Sequence, residues 1–280
     1  MLKINEKDIY SMVKESVKQI LKEVYSVSDI DEHKDVVDNF DSIKDIIKSQ
    51  WESPDDVWYI NIDQRKKDRR YIGTYGRNEM NLKYGKLIGE LGYGYVSGAT
   101  VDDAIKSLEN PTIYLYPEAA NAFGKNIVNG DGGMNAVQQV CNFFFARAYI
   151  LIHKRSFKQT SKEANTSDIH NDEFRRVVHI STINKKQHQW TLIDCDADSP
   201  EIQKELEDLM ARNGVKYVKK MESHNGMHYI LDSYDAKKLD FSEFNKKYDP
   251  ILGIKNSDNT VRAKRDSSML LYSPCGSKMI

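Results

Sequence analysis

The chain has 280 residues, with 41 Lys and Arg against 42 Asp and Glu and a formal net charge of −1. That length allows one large domain or two small ones with ample core. The near-neutral balance excludes an overall field drawing the chain onto nucleic acid or a membrane surface, so any nucleic-acid surface has to be a local patch. Three cysteines, Cys141, Cys195 and Cys275, are odd in number and far apart. They form neither a zinc spacing nor a disulfide framework, as expected in a reducing compartment. The first residues, MLKINEKDIY, do not form a signal peptide, and no apolar run approaches the roughly 20 residues that span a bilayer. The expectation is a soluble cytoplasmic protein with no membrane partner.

In chain order, Ile9, Met12, Val13, Val17, Ile20, Leu21 and Val24 recur at helical spacing with Asn5 as the N-cap. One apolar stripe on a helix of mixed charge suits docking onto the same chain or a partner. A polar, acid-rich stretch follows, with a second helix expected around Phe40 to Trp51, so residues 1–53 read as a helical N-terminal appendage. The body opens with a strand at Val57 to Ile62 and the basic run Gln64 to Arg70. Among the aromatics here, Trp58, Tyr59, Tyr71 and Tyr75, base stacking competes with ordinary core packing at alternating strand positions. Gly89, Gly92 and Gly94 lie in a Gly-rich stretch that lacks both the order of a dinucleotide fingerprint and the Lys of a P-loop. The NGDGG run at 129–133 reads as a bend.

Residues 54–145 thus form the N-terminal part of an α+β body. Ala136 to Phe145 reads as a helix, and Ala148 to Ile152 as a strand running into His153-Lys154-Arg155. Arg147 and Tyr149 share one face of that strand, and Arg155 is a candidate phosphate contact because guanidinium groups suit bidentate phosphate binding. Residues 159–172 read as a polar loop. Strands are expected at Val177 to Ile183 and Trp190 to Asp194, and a helix at Glu201 to Arg212.

The residues that carry chemistry lie in this second half. An apolar run ends in Asp194-Cys195-Asp196. Alternate side chains of a strand share a face, so both carboxylates point the same way. Such a pair can hold one or two divalent cations through oxygen ligands, a common basis for phosphoryl and nucleotidyl transfer. Some thirty residues on, Ser223-His224-Asn225-Gly226-Met227-His228 supplies a Ser, a tight turn and a His ahead of the strand Tyr229 to Leu231. Later still come Asp258-Asn259-Thr260-Val261, Lys264-Arg265 and Met269-Leu270-Leu271-Tyr272-Ser273-Pro274.

This order resembles the archaeo-eukaryotic primase superfamily, which includes the primase-polymerases of phages and plasmids, over about residues 145–280. Its motifs are a hydrophobic strand with D-x-D, a Ser/Gly-rich turn ending in His, and a late acidic residue before a basic stretch and an apolar run into Pro. The turn departs from the usual glycine-rich form, and no zinc-binding cysteine cluster is present. The resemblance implies an RRM-like catalytic module at 146–280, with Asp194, Asp196 and Asp258 (Asp266 being the rival third carboxylate) holding Mg²⁺ or Mn²⁺. It further implies that His228, Ser223 and Asn225 contact the incoming triphosphate, with Arg155, Lys264 and Arg265 as further phosphate contacts.

The leading expectation is therefore a metal-dependent nucleotidyltransferase. It would synthesise or extend primers on a single-stranded nucleic-acid template from nucleoside triphosphates, with a helicase-type replication partner docked through the N-terminal helix. Two alternatives use the same residues. One is a metal-dependent nuclease or phosphodiesterase with His228 as general acid or base. The other is a catalytically degenerate nucleic-acid-binding or virion-associated subunit.

Overall fold

The computed structural model describes residues 36–64, 89–123, 133–144, 146–166, 190–254, 259–264 and 267–274. In chain order the elements are β1 (Val37–Asp38), α1 (Phe40–Gln50), β2 (Asp56–Gln64), β3 (Gly89–Ser97), α2 (Val101–Glu109), β4 (Thr112–Leu115), α3 (Pro117–Phe123) and α4 (Ala136–Phe144). They continue with β5 (Arg147–Leu151), β6 (Arg155–Ser156), α5 (Phe157–Thr166), β7 (Trp190–Cys195), α6 (Pro200–Arg212) and β8 (Lys219–Glu222). The remainder are β9 (Met227–Asp232), α7 (Ser233–Ala236), α8 (Ser242–Tyr248), β10 (Val261–Lys264) and β11 (Ser268–Ser273). The protein is a mixed α and β structure with antiparallel sheets. Among the described residues no helix is long and apolar enough to cross a membrane.

Two sheets form. The larger has the order β1-β11-β5-β2-β3-β4, with β6 paired to β2; the smaller has the order β10-β7-β9-β8. The smaller sheet is laid down as strand, helix, strand, strand, helices, strand, and every neighbouring pair is antiparallel. This is split β-α-β connectivity, in which a later strand slips between the two that flank a helix. β5, β6 and β11 pair into the large sheet, and the smaller sheet occupies Trp190 to Lys264.

Period-two alternation decides which side chains meet. In β2, Trp58, Ile60 and Ile62 enter the main core, while Val57 and Tyr59 face the other way in a small separate cluster. Trp58 is fully buried, its indole N–H donating to Gln50 Oε1 at 3.2 Å, so it is a core residue and not a base-stacking one. In β7, Leu192 joins the main core beside Met221 and Ile230, whereas Ile193 and Cys195 face a second core under α6 and α8. α1 contributes Phe40, Ile43, Ile46 and Ile47, one stripe at helical spacing, to the main core that both sheets share. Asn39 ties the sheets together directly, its Nδ2 donating to Glu222 O and Leu270 O, each at 2.9 Å.

One segment takes a structure other than the one expected, another received no assignment from sequence, and three lie outside the described residues. β3 runs through the glycines because β4 passes close beside it: a Cβ at Gly92 would lie 2.4 Å from Tyr114 O, and one at Gly94 would lie 2.8 Å from Thr112 O. The helix Phe157–Thr166 occupies the described part of the stretch 159–172, where a polar loop was expected. The N-terminal helix, the basic run 65–70 with Tyr71 and Tyr75, and the strand at 177–183 lie outside the described residues.

At the basic strand end, Lys154 and His153 are engaged within the fold. Lys154 is buried, with Nζ 2.9 Å from Asp56 Oδ2 and 3.0 Å from Glu52 Oε2. His153 Nε2 accepts the backbone N–H of Trp190 at 2.8 Å, fixing where β7 starts. Lys154→Ala leaves the Asp56 carboxylate buried without its cation and is expected to cost about 3 kcal/mol, to be read from urea denaturation.

Candidate functional site

β7 carries Asp194 into the middle of the small sheet, and the register makes its neighbours unavoidable. His228 of β9 stands directly opposite on one side and Arg262 of β10 directly opposite on the other. Lys264, two residues beyond Arg262, projects from the same face of β10. The carboxylate of Asp194, 4% exposed as a residue, meets all three. Its Oδ1 lies 3.3 Å from His228 Nε2, and its Oδ2 lies 2.5 Å from Lys264 Nζ and 3.4 Å from Arg262 Nη2. Asp196, just past the end of β7, is less enclosed, and its Oδ2 accepts from Arg262 Nη2 at 2.6 Å.

Each supporting strand is held by its own fastening. β10 is fixed by α8: Asn245 Nδ2 donates to Val261 O at 3.0 Å, and Val261 N–H donates to Asn245 Oδ1 at 2.8 Å. Just upstream, Thr260 donates both its N–H and its hydroxyl to Asp249 Oδ1. β8 and β9 are joined by the turn Ser223 to Gly226, closed by Ser223 N–H donating to Gly226 O at 2.9 Å. This turn lies on the chain leaving β7: a Cβ at Gly226 would sit 2.2 Å from Cys195 O and 2.7 Å from Ala197 N and O. Only glycine allows that approach. α6, whose N-cap is Ser199 with Pro200 and Glu201 in the first turn, then carries the chain back under the sheet.

Burial works against charge on Asp194, but His228 and Lys264 outweigh it and hold the carboxyl well below the usual range. Burial pushes the Cys195 thiol up to about 12, so this cysteine between the two carboxylates stays protonated and inert. In the turn, Ser223 Oγ and Asn225 Oδ1, and on β9 His228 Nδ1, are buried without a hydrogen-bond partner. Buried polar atoms of this kind call for an explanation, a bound ligand being one.

Of the candidate residues, the fold gathers Asp194, Asp196, His228 and Lys264 directly, with Ser223 and Asn225 in the adjoining turn. Arg155 is elsewhere. It pairs with Val57 in the large sheet, is 2% exposed, and lies near Tyr59 on the face away from the shared core. Asp258, Arg265 and Asp266 lie outside the described residues. Arg262 is the member of the network that sequence reasoning missed. The signal available for it was the alternation in Val261-Arg262-Ala263-Lys264, which puts two cations on one strand face.

The oxygen donors of Asp194 and Asp196 suit a hard divalent ion that keeps several waters. Among the described residues, no three His, Cys, Asp or Glu side chains converge as a metal cluster. The near oxygens of both carboxylates are engaged by Arg262 and Lys264. Comparison with family models, curated proteins and solved structures finds no match for the chain.

Two outcomes follow from this geometry. Gly226→Ala forces the turn off the β7 exit and is expected to cost about 1–3 kcal/mol, as overpacking does, measured by thermal or urea unfolding. Because the Asp194 carboxyl is lowered in the folded state, its stabilising contribution is complete above its unfolded value near pH 4. It is lost as pH falls further, toward the lower folded value. Stability followed from pH 6 to pH 2 is expected to fall less steeply in Asp194→Asn than in the unsubstituted chain.

Proposed function

We propose that the chain is a metal-dependent nucleotidyltransferase of the primase-polymerase kind, acting on single-stranded nucleic acid with nucleoside triphosphates as substrates. The observation that carries this reading is the direct opposition of Asp194 and His228 on adjacent strands, with Asp196 one residue past the strand end. Split β-α-β connectivity around them supports regarding the small sheet as an RRM-like module. The buried, unpartnered Ser223 Oγ and His228 Nδ1 add polar groups with capacity for a ligand.

In this reading Asp194 and Asp196 hold Mg²⁺ or Mn²⁺, with Asp258 as the proposed third carboxylate. When bound, the metal supplies charge neutralisation for an in-line displacement at phosphorus. The protein's own groups do the rest. His228 and Ser223 donate to oxygens of the triphosphate, where charge grows as the leaving group departs. Lys264 and Arg262 offset the remaining phosphate charge, Lys as a mobile point charge and Arg as a fork. Asp194 accepts from His228 Nε2–H and orients the ring, so the donation to phosphate uses the imidazolium form, whose second N–H is at Nδ1. A replication partner docked through the N-terminal helix belongs to the same proposal.

A second reading, a catalytically degenerate nucleic-acid-binding subunit, draws on one observation: both carboxylates are already paired with cations. Primer synthesis and extension on single-stranded DNA, with labelled ribo- and deoxynucleotides and Mg²⁺ or Mn²⁺, separates the readings. The transferase reading expects products from the unsubstituted chain and none from folded Asp194→Ala/Asp196→Ala. It also expects roughly a hundredfold loss in His228→Ala, the scale of removing one preorganised donor. Template degradation that disappears in the double variant would replace it with a nuclease. Strand binding without either activity would favour the degenerate subunit.

A further inference from the structure

We infer that Arg262 and Lys264 make the carboxylate pair a conditional cation site, in which a phosphate-bearing ligand opens the pair to a divalent ion by drawing the two basic side chains away. The phosphate half rests on the functional reading above; the effect on metal binding does not.

Three features carry the inference. Every oxygen of Asp194 is engaged, Oδ1 by His228 and Oδ2 by both Lys264 and Arg262. A Mg²⁺ ion bound to Oδ2 at about 2.0–2.1 Å would share one oxygen with two cationic nitrogens, and close like charges repel. The ion and the two side chains therefore compete for the same carboxylates.

Burial sets which partner gives way. The Asp194 side chain is 6% exposed, whereas those of Arg262 and Lys264 are 29% and 39% exposed. The carboxylate is buried in the sheet, while the side chains of Arg262 and Lys264 are each partly exposed. There is room beside them: a cavity of about 600 Å³ at the outer edge of β10 is lined by both residues together with Asn245 and Lys246.

Phosphate is the anion for which these cations would leave a carboxylate, since it offers several charged oxygens to an Arg fork and a Lys. Ser223 Oγ and His228 Nδ1, buried near this end of the sheet without a hydrogen-bond partner, have capacity for a further polar contact. Linkage then requires reciprocity: if phosphate tightens the metal, the metal tightens phosphate by the same factor.

The test is Mn²⁺ affinity by electron paramagnetic resonance without nucleotide, on the unsubstituted chain and on Arg262→Ala/Lys264→Ala. The double variant is expected to bind Mn²⁺ about tenfold more tightly, within the usual range of coupling between sites. Adding Asp194→Asn is expected to erase the gain. In EDTA, the same double variant is expected to lose about tenfold affinity for a non-hydrolysable nucleoside triphosphate analogue or for a single-stranded oligonucleotide. The arm that responds identifies the source of the phosphate.

Lys264→Met, which keeps the stem and removes one charge, gives the same directions on a smaller scale should the double variant unfold. Mn²⁺ affinity that is unchanged or weaker on removing the cations overturns the inference, as does undiminished affinity for both phosphate probes. Absence of primer synthesis alongside tighter Mn²⁺ binding would sink the transferase reading and leave the competition at the carboxylates standing.

Discussion

The buried charge of Asp194 is the constraint around which the small sheet is organised. An ion taken out of water costs several kcal/mol unless partners replace the lost hydration. Here they come from both neighbouring strands, His228 on one side and Arg262 with Lys264 on the other. A one-residue slip of β10 would turn both its cations to the helix side and leave the carboxylate unmatched. That explains why so short a strand is fastened twice, by Asn245 to Val261 and by Asp249 to Thr260. The glycine in the β8–β9 turn serves the same end on the other flank by allowing that turn to lie against the exit of β7.

Much of this was legible in the sequence because it is local. The apolar run before Asp194, the shared face of Asp194 and Asp196, and the helix that starts at Ser199-Pro200 each depend on a few adjacent residues. What stayed hidden depends on which distant segment lies alongside. Arg262 is 68 residues from Asp194, and a four-residue strand with few apolar positions gives no sign of its partner. β3 was obscured for a related reason: its glycines fit the close passage of β4, but they give no alternating apolar pattern by which a strand is read. The helix Phe157–Thr166 has only two apolar positions, Phe157 and Ala164, too few to show a periodic stripe.

Basic residues that look alike in sequence have different fates in the fold. Lys154 completes a buried pair with Asp56, and Arg155 is enclosed in the large sheet near Tyr59. Lys264 and Arg262 hold a carboxylate while remaining partly exposed. Charge alone therefore does not mark a phosphate site. The informative property is a cation whose present partner can be exchanged, and exposure together with strand register reveals it.

The order of the strands along the chain also gives the site a history during synthesis. Asp194 leaves the ribosome 70 residues ahead of Lys264, a delay of roughly 4 to 14 s at ordinary elongation rates. Throughout that interval α6 and the β8–β9 hairpin are available to fold, but the edge that brings the counter-charges is still being made. The nascent sheet must carry its carboxylates solvated, or shielded by mobile ions, until β10 arrives. β11 then enters the large sheet between β1 and β5 within a few residues of it. Neutralising the buried acid and closing the larger sheet are thus nearly simultaneous events, and an elongation pause between β9 and β10 would strand the protein with both unfinished.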